Sequence, residues 1–488
     1  MRDVQVRRGV YVDSVALMQV SRRVSSLDGV SAALVAMATD LNFELLVTMG
    51  FEVPDASANE MLVAIDASSD EVLKAARAEV DAALAESSRP SASGFGSAPP
   101  PVTVRSAAAR ADATVALIST PGENAFADAL DAVEAGLHTM VFSDNVPVEQ
   151  EVLLKERAGE AGVLVMGPDC GTAVIGGVGL GFANVVRPGP VGIVAASGTG
   201  AQHLMALLDG AGVGVSHCLG VGGRDLSAAV GARSTLAALD LLEADEGTEL
   251  VVVVSKPPDP AVADRVREHA ASLATPVQLG LLGRGQPDLT TLARSVVEAA
   301  GGTWAAPQNW PGNLTPARAG GHLRGLFVGG TLCDEAMVIA SATLGEIASN
   351  IPLDLAWALD DDLRSRGHTM IDFGDDRFTR GRPHPMIDGS VRADRIRAEV
   401  DDPGTGVLLL DVVLGLGAEA DPSALLAPAI TQAVTTGVPV VVSLTGTRDD
   451  PQGLREQAAA LNAAGATVHL SNAAATRAAL DLLGVARP

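Results

Sequence analysis

Residues 190–208 read PVGIVAASGTGAQHLMALL, and this stretch decides the architecture predicted for the middle of the chain. Its first half is an apolar run of the kind that forms a buried strand. The run ends at Ser197-Gly198-Thr199-Gly200, and a helical pattern of apolar residues begins at once. The stretch therefore predicts a strand–glycine–helix junction, which parallel α/β sheets place at their ligand-binding edge.

The same design recurs later in the chain. Residues 326–336 read LFVGGTLCDEA and open a second unit in the same way. Each opening is followed by a loop of Gly, Asp and Arg, which is GVGGRD at 220–225 and DFGDDR at 372–377. An apolar strand that ends in a polar turn comes next in both units. Three shared features in one order predict two flavodoxin-like domains that face each other.

Apolar runs alternate with amphipathic helices along most of the chain, which is typical of the α/β class with parallel strands. Stretches rich in Ser, Pro and Gly mark the boundaries between domains. The predicted organisation is an N-terminal α/β module at 1–88, a linker at 89–102, a Rossmann-like domain at 103–188, a first flavodoxin-like domain at 189–300, a linker at 301–322 and a second flavodoxin-like domain at 323–488.

Charge and composition exclude several functional classes. The formal net charge is −25, with 59 acidic against 34 basic residues, which argues against nucleic acid and anionic membranes as partners. The three cysteines, Cys170, Cys218 and Cys333, show no disulfide or metal-binding spacing. The first residues do not resemble a signal peptide, and no apolar run is long enough to span a membrane. We therefore expect a cytoplasmic protein without a metal site.

The glycine junctions allow three interpretations: a dinucleotide site, a phosphate site, or close packing without a ligand. A helix N-terminus attracts anions because its first N–H groups lack partners and carry partial positive charge. The order A-A-S-G-T-G at 195–200 differs from the G-x-G-x-x-G of dinucleotide-binding folds, and no clear acidic residue follows at ribose distance. Two facing junctions favour one shared phosphate, although glycine also serves packing at such turns.

Candidate site residues follow from the loops that end the predicted strands. The candidate phosphate- or substrate-binding residues are Ser197, Gly198, Thr199, Gly222, Gly223, Asp225, Lys256, Gly329, Gly330, Thr331, Arg377, Gly415 and Gly417. The candidate catalytic residues are His384, Arg382 and Arg224, and Cys170 and Asn145 are expected to line the site.

The loop at 372–389, DFGDDRFTRGRPHPMIDG, is the most unusual segment of the sequence. It concentrates arginines in an acidic protein, and His384 lies between two prolines. One interpretation is an anion site, with arginines on phosphate or carboxylate and His384 as proton carrier or phosphoryl acceptor. The other is structural, with the arginines paired to Asp372, Asp375 and Asp376 and with His384 capping a turn. Cys170 carries the same two alternatives, as nucleophile or as small core residue.

Several motifs together resemble a known family. Residues 113–300 resemble the α subunit of succinyl-CoA synthetase, through EAGVLVMGPDCG at 160–171 and CLGVGGRD at 218–225. Residues 323–488 resemble the carboxy-terminal ligase domain of its β subunit. The whole chain resembles the FdrA family, in which both parts are fused. The resemblance implies a CoA-binding-like Rossmann domain followed by two ligase-CoA domains.

The sequence departs from the synthetase pattern at three points. No histidine occurs in LLGRGQPDLT at 281–290, where the synthetase α subunit carries one. A polar linker replaces the glycine-rich CoA loop, and no ATP-grasp module is recognisable. The expectation is therefore a carbamoyltransferase of the oxamate type, implied by resemblance to FdrA proteins, which converts carbamoyl phosphate and oxamate to oxalurate and phosphate, or the reverse, in purine or related amide catabolism.

Two alternatives stay open. The first is an ADP-forming acyl-CoA synthetase with a phosphohistidine, which would require CoA or ATP with Mg²⁺; otherwise no cofactor is obligatory. The second is a scaffold or regulatory subunit without chemistry. The expected ligands are phosphate or carbamoyl phosphate and a small carboxylate or amide, and the expected protein partners are other subunits or further copies of the chain.

Overall fold

A computed structural model of the chain describes residues 1–9, 12, 14–57, 60–87, 101–312, 316–318, 320–379 and 383–485. The predicted α/β fold is confirmed, and its strands form four sheets within these residues. Most of the linker predicted at 89–102 lies outside the described residues. Among the described residues, no helix combines the length and hydrophobicity needed to cross a membrane.

The N-terminal module is a small antiparallel sheet with helices packed against it. Its elements are β1 (Arg2–Arg7), α1 (Ser14–Ser25), β2 (Val30–Met37), α2 (Asp40–Thr48), β3 (Met61–Ala67) and α3 (Asp70–Ser87). The strand order is β1-β3-β2, and both pairings are antiparallel. Leu17, Val20 and Val24 of α1 pack with Val63 and Ile65 of β3 in the core of the module.

The Rossmann-like segment is a three-stranded parallel sheet in the order β4-β5-β6. Its elements are α4 (Val104–Ala108), β4 (Val115–Ile118), α5 (Gly122–Glu134), β5 (His138–Val141), α6 (Val148–Ala161) and β6 (Val165–Met166). The hairpin β7 (Thr172–Ile175) and β8 (Val178–Gly181) follows. This hairpin joins the next sheet, because β7 pairs with β10, so that the sheets do not divide at the predicted boundary of 188.

The first flavodoxin-like domain contains the junction at 197–200. Its elements are β9 (Pro188–Ala196), α7 (Gly198–Gly210), β10 (Val215–Gly220), α8 (Arg233–Glu243), β11 (Leu250–Ser255), α9 (Pro260–Ser272), β12 (Val277–Leu281) and α10 (Leu289–Ala299). The sheet order is β12-β11-β9-β10-β7-β8. The parallel strands thus run second, first, third and fourth across the sheet, which is the flavodoxin-like order.

The second domain repeats this order. Its elements are β13 (Asn309–Trp310), β14 (His322–Phe327), α11 (Gly330–Leu344), β15 (Ala348–Ser349), a 3₁₀ helix (Leu355–Trp357), β16 (Thr369–Asp372), α12 (Asp376–Thr379), α13 (Ser390–Asp401), β17 (Thr405–Val413), α14 (Pro422–Thr435), β18 (Val440–Thr445), α15 (Leu454–Ala463), β19 (Thr467–His469) and α16 (Asn472–Leu482). The sheet order is β13-β19-β18-β17-β14-β16-β15.

The segment 301–322 is more than a linker. Asn309 and Trp310 form β13, which adds an antiparallel edge strand to β19, and Trp310 packs against the core of the second domain. The two flavodoxin-like domains also share one apolar core. Leu204 and Met205 of α7 belong to the same buried cluster as Leu332 and Met337 of α11. This shared core fixes the two domains face to face.

Candidate functional site

The first turns of α7 and α11 contact each other at the domain interface. Ser197 Oγ and Thr331 Oγ1 are 2.6 Å apart and share a hydrogen bond. Ser197 Oγ also accepts a hydrogen bond from the Gly200 N–H at 3.0 Å and thereby caps α7. The two glycine junctions therefore meet at one place between the domains.

The contact depends on glycine in both helices. A Cβ at Gly329 would lie 2.8 Å from Thr199 Oγ1, and a Cβ at Gly200 would lie 2.9 Å from Thr331 Cγ2. Each helix thus places a glycine where the other presents a threonine, as expected for related domains facing each other. Any side chain at these glycines would push the helix starts apart.

A cavity of about 250 Å³ opens at these helix starts. Loops from both flavodoxin-like domains and the Rossmann-like segment line it, together with one residue of the N-terminal module, Met18. The polar residues that line it include Ser197, Thr199, Thr331, Lys256, Asp144, Asp169, Asp372, Thr379 and His384. Phe142, Phe182, Met386 and Ile387 supply apolar surface.

Lys256 reaches the cavity because it follows β11 directly. Ser255 is the register partner of Ala196, so Lys256 and Ser197 leave adjacent strands at the same edge of the sheet. This edge is the topological switch point, where open α/β sheets bind ligands. Burial would lower the pKa of Lys256, but surrounding carboxylates, Asp334 foremost and then Asp372, raise it. Lys256 is therefore a positive charge at the cavity.

Two buried aspartates face this lysine. Burial raises the pKa of Asp372 to about 7, although Lys256 and the Gly374 N–H oppose the shift. Burial likewise raises the pKa of Asp334 to about 6 against the attraction of Lys256. A carboxyl group that titrates near neutral pH can both accept and return a proton. The cavity thus combines a fixed cation with a proton acceptor.

His384 lines the cavity beside Gly374, where a Cβ would lie 2.9 Å from its Nε2. Its Nδ1 accepts a hydrogen bond from the Met386 N–H at 3.2 Å, and its ring lies 5.6 Å from that of Phe182. Burial lowers the pKa of His384 to about 4, so the ring is neutral at pH 7. Because Nδ1 is an acceptor, the hydrogen of the neutral ring is assigned to Nε2. His384 is thus a hydrogen-bond donor through Nε2.

The structure brings eight of the predicted site residues together at this cavity. They are Ser197, Gly198, Thr199, Gly223, Lys256, Gly330, Thr331 and His384. Gly329 lies just behind it, as the residue that precedes α11 and contacts Thr199. Arg382, a predicted catalytic residue, lies outside the described residues.

Arg224 and Asp225 do not line the cavity, so the structure does not support site roles for them. Arg224 donates to the Val146 carbonyl at 2.8 Å and pairs with Glu151 at 2.9 Å. Asp225 is buried and accepts from Lys155 at 2.7 Å and from the Thr235 hydroxyl at 2.6 Å. Both side chains instead hold α6 against the first flavodoxin-like domain.

The predicted glycines at 222, 415 and 417 serve packing. A Cβ at Gly222, where φ is +89°, would lie 2.4 Å from the Pro168 carbonyl oxygen. Gly415 has φ +130°, and a Cβ there would lie 2.7 Å from the Ala183 carbonyl oxygen. A Cβ at Gly417, with φ +75°, would approach Phe182 to 3.3 Å. These three glycines lie outside the cavity lining.

The other predicted residues also lie elsewhere. Cys170 is buried, and burial raises the pKa of its thiol to about 12, which argues against a nucleophile. Arg377 pairs with Asp361 at the surface at 3.2 Å. Asn145 does not line the cavity, although its neighbours Ser143 and Asp144 do.

Sequence reasoning missed Asp372, Asp334, Asp169 and Met18. Asp334 lies one turn into α11, and helical spacing from Gly330 could have indicated it. Asp169 lies three residues after Met166, the last residue of β6, and carries a strand-end signal similar to that of Lys256. No local sequence pattern indicates Met18, because it reaches the cavity only through the packing of α1 against residues distant in the chain.

Comparison with known proteins places this geometry in a family. The chain is 39% identical over 451 residues to the uncharacterized protein YahF of Escherichia coli (strain K12), covering 86% of this chain and 85% of YahF. The chain belongs to the YahF family. A family profile described as CoA-ligase matches residues 326–482, within the second flavodoxin-like domain. The YahF-type chain thus carries a CoA-ligase domain beside the cavity.

More distant similarities extend this result. The α subunit 2 of an ADP-forming succinate–CoA ligase from Archaeoglobus fulgidus is 26% identical over 258 residues, covering 52% of this chain and 78% of that subunit. A solved acetyl-coenzyme A synthetase 1 from Ca. Korarchaeum cryptofilum, in complex with phosphate and ADP, covers 81% of this chain and 87% of its own, with 16% identity and a TM-score of 0.31. The CoA-ligase profile and the similarity to the succinate–CoA ligase subunit favour the CoA-ligase alternative and give no support to the predicted carbamoyltransferase or purine catabolism.

The N-terminal module of the YahF-type chain matches a second profile. Residues 1–100 match the family described as AllF, heavy metal-associated domain. Heavy metals prefer thiolate and imidazole ligands, and residues 1–100 contain neither Cys nor His. Nor do the described residues contain a group of three His, Cys, Asp or Glu side chains that could hold a metal. Residues 1–100 therefore lack the thiolate and imidazole donors that heavy metals prefer.

Proposed function

We propose that the chain carries the acyl-transfer half of a CoA-ligase-type reaction. In this half, an acyl phosphate and the CoA thiol form a thioester and inorganic phosphate. The observation that supports the proposal is the meeting of two helix N-termini, Lys256 and His384 at one cavity. Similarity to CoA ligases supplies the reaction class.

The helix starts and Lys256 would bind the phosphate. Gly329 has no side chain to cap α11, and its own N–H donates to Asp411 Oδ2 at 2.9 Å. Within the part of the chain that the structure describes, no side chain accepts from the N–H groups of residues 330–332. A Cβ at Gly330 would lie 3.0 Å from Lys256 Nζ, which places the ammonium group beside this helix start. The Asp372 carboxyl lies at the same place, because this Cβ would be 2.7 Å from its Oδ2. A phosphate group would accept hydrogen bonds from the ammonium group and from the N–H groups of the helix start.

His384 would donate a hydrogen bond to the reacting group. Its Nε2–H can stabilise charge that develops on an acyl or phosphoryl oxygen. The tautomer disfavours a phosphohistidine on Nε2, because a nitrogen that carries hydrogen has no lone pair for phosphorus. We therefore propose transfer directly from the acyl phosphate.

Asp372 would take the thiol proton. Its raised pKa makes it an acceptor that can release the proton again near neutral pH. The thiolate attacks the acyl carbon, the bond from that carbon to the phosphate oxygen breaks, and phosphate leaves with its charge held by Lys256. We further propose that a partner subunit supplies nucleotide chemistry, since the similar Archaeoglobus chain is named as a ligase subunit.

The test is thioester formation from CoA with acetyl, succinyl or carbamoyl phosphate. We expect turnover with one of the two carboxylic acyl phosphates and a loss of about 100-fold in Lys256→Met and His384→Ala. His384→Gln keeps an amide donor and should recover part of the loss. Arg377→Ala, at an exposed ion pair, is the control. No thioester with either substrate would refute the proposal, and carbamoyl transfer to oxamate instead would restore the carbamoyltransferase interpretation.

A further inference from the structure

Helix α1 of the N-terminal module reaches across to the second flavodoxin-like domain. The Arg22 guanidinium pairs with Glu419 and donates to the Ile387 carbonyl at 3.2 Å. The Glu419 side chain is 11% exposed, so this ion pair is partly shielded from water. The module is therefore docked at a defined place on its neighbour.

The part of the second domain that Arg22 contacts adjoins the turn that carries His384. The Ile387 N–H donates to the His384 carbonyl at 2.7 Å, and the Glu419 N–H donates to the Met386 carbonyl at 2.7 Å. Arg22 thus contacts Ile387, which lies in this turn, and Glu419, whose N–H is hydrogen-bonded to the turn. Movement of α1 would be transmitted to the position of His384.

One turn before Arg22, Met18 enters the cavity. Residues four apart lie on the same face of a helix, so Met18 and Arg22 both point towards the second domain. Leu17, Val20 and Val24 occupy the other face and pack in the module's own core. Helix α1 therefore has one face for its module and one for the cavity, where Met18 lines the same space as Met386 and Ile387.

We propose that α1 forms a wall of the substrate site, with Met18 limiting the length of the acyl group and Arg22 positioning the helix. This inference rests on the proposed function and adds the substrate class, a short-chain acyl phosphate. The cavity of about 250 Å³ lies below the usual range of about 300–1,000 Å³ for ligand pockets, which favours a small acyl phosphate. A methionine side chain is flexible enough to pack against a short apolar tail and large enough to block a longer one.

Docking is tested separately from ligand binding. Arg22→Glu and Glu419→Arg each place like charges together, whereas the double variant restores an attractive pair. Hydrogen exchange of 14–25 and 384–389 should increase severalfold in each single variant and return towards wild type in the double variant. Unchanged exchange in both single variants would overturn the positioning role of Arg22.

Selectivity is tested with acetylphosphonate and hexanoylphosphonate, two stable acyl phosphate analogues, and with inorganic phosphate. Met18→Ala should improve hexanoylphosphonate affinity relative to acetylphosphonate by about tenfold, since room for two or more methylenes is gained. Met18→Trp should weaken both acyl ligands and leave phosphate within twofold. Met49→Ala, at a half-buried methionine in the same module and outside the cavity lining, is the matched control.

The outcomes separate the two claims. If wild type binds the acylphosphonates but the Met18 variants leave their affinity ratio unchanged, the role of Met18 is wrong and the proposed function stands. If wild type binds none of the three ligands, the proposed function fails and the selectivity role fails with it. The hydrogen-exchange result decides the docking claim in either case.

Discussion

At the residue scale, Gly198 and Gly200 lie two positions apart and have different tasks. A Cβ at Gly200 would lie 2.2 Å from Ser197 Oγ, whereas the nearest atom to a Cβ at Gly198 is Thr172 Oγ1 at 3.6 Å. Gly198 also lacks a positive φ, so its backbone conformation is open to other residues. Gly200 maintains the contact between the helices, and Gly198 keeps the cavity open.

These two glycines give a paired prediction. Gly200→Ala should lower the melting temperature by several degrees, because it displaces the Ser197 cap and the Thr331 contact. Gly198→Val should leave the melting temperature within about 2 °C of wild type and abolish phosphate binding, because its side chain enters the cavity. Calorimetric titration and thermal unfolding measure both effects. Loss of stability in Gly198→Val, together with loss of phosphate binding at unchanged stability in Gly200→Ala, would contradict the geometry.

Asp372 predicts a pH dependence of stability. A carboxyl whose pKa is higher in the folded than in the unfolded chain favours folding at low pH, and this contribution is lost as pH rises. For Asp372 the loss falls between about 4, the ordinary value for Asp, and about 7, its value in the fold. Asp372→Asn should therefore gain stability relative to wild type between pH 5 and pH 8. If wild type and Asp372→Asn show the same dependence of melting temperature on pH, the pKa of Asp372 is not raised in the fold.

At the element scale, a buried charge cluster holds α6 against the start of α8. Lys155 Nζ lies 2.8 Å from Glu151 and 2.7 Å from Asp225, and all three side chains are buried. Asp225 also accepts from the backbone N–H groups of Ser234 and Thr235 at the start of α8. Sequence reasoning took Asp225 for a site residue, because its partner Lys155 lies far away in the chain and leaves no local signal.

Removing the cation tests this structural role. Lys155→Met removes the cation between two buried carboxylates, which leaves Glu151 paired only with Arg224 and Asp225 with only neutral donors. The change should cost about 3–5 kcal/mol of unfolding free energy. Arg157→Met, at an exposed pair on the same helix, should change it by less than about 0.5 kcal/mol. Phosphate affinity of the folded Lys155→Met protein should stay within threefold of wild type. A large loss of phosphate affinity without a loss of stability would show that this cluster belongs to the active site.

At the scale of the whole molecule, a buried carboxylate connects the second flavodoxin-like domain to the segment that leads from β8 into β9. Asp450 accepts from Asn184 Nδ2 at 2.7 Å and from the Val185 N–H at 2.8 Å. The Thr447 hydroxyl donates back to the Val185 carbonyl. These bonds fix the relative position of the domains, and the helix starts can meet only while that position is kept.

Asp450→Ala should therefore weaken both stability and ligand binding. It removes the acceptor of the Val185 and Thr447 N–H groups and one of the two acceptors of Asn184 Nδ2, which costs about 2–3 kcal/mol. The neighbouring Asp449 is exposed, and Asp449→Ala should match wild type in both measurements. Calorimetry with and without phosphate separates the two effects. Wild-type affinity in a destabilised Asp450→Ala protein would show that the cavity does not need this link.

The sequence predicts the repeated architecture well, because strand and helix periods and strand-end glycines are local signals. The junctions at 197–200 and 329–331 could be paired from their likeness alone. The neighbours of a side chain are set by tertiary packing, and this is why Arg224 was assigned to the site and Met18 was not. His384 was found through its unusual loop, but its tautomer follows only from the Met386 N–H.

The most direct test of the account is a crystal structure of the protein with acetylphosphonate. The account predicts the phosphonate oxygens within hydrogen-bonding distance of the N–H groups that begin α11 and of Lys256 Nζ, with the acetyl group between His384 and Met18. A phosphonate bound elsewhere, with this cavity holding only water at saturating ligand, would contradict it.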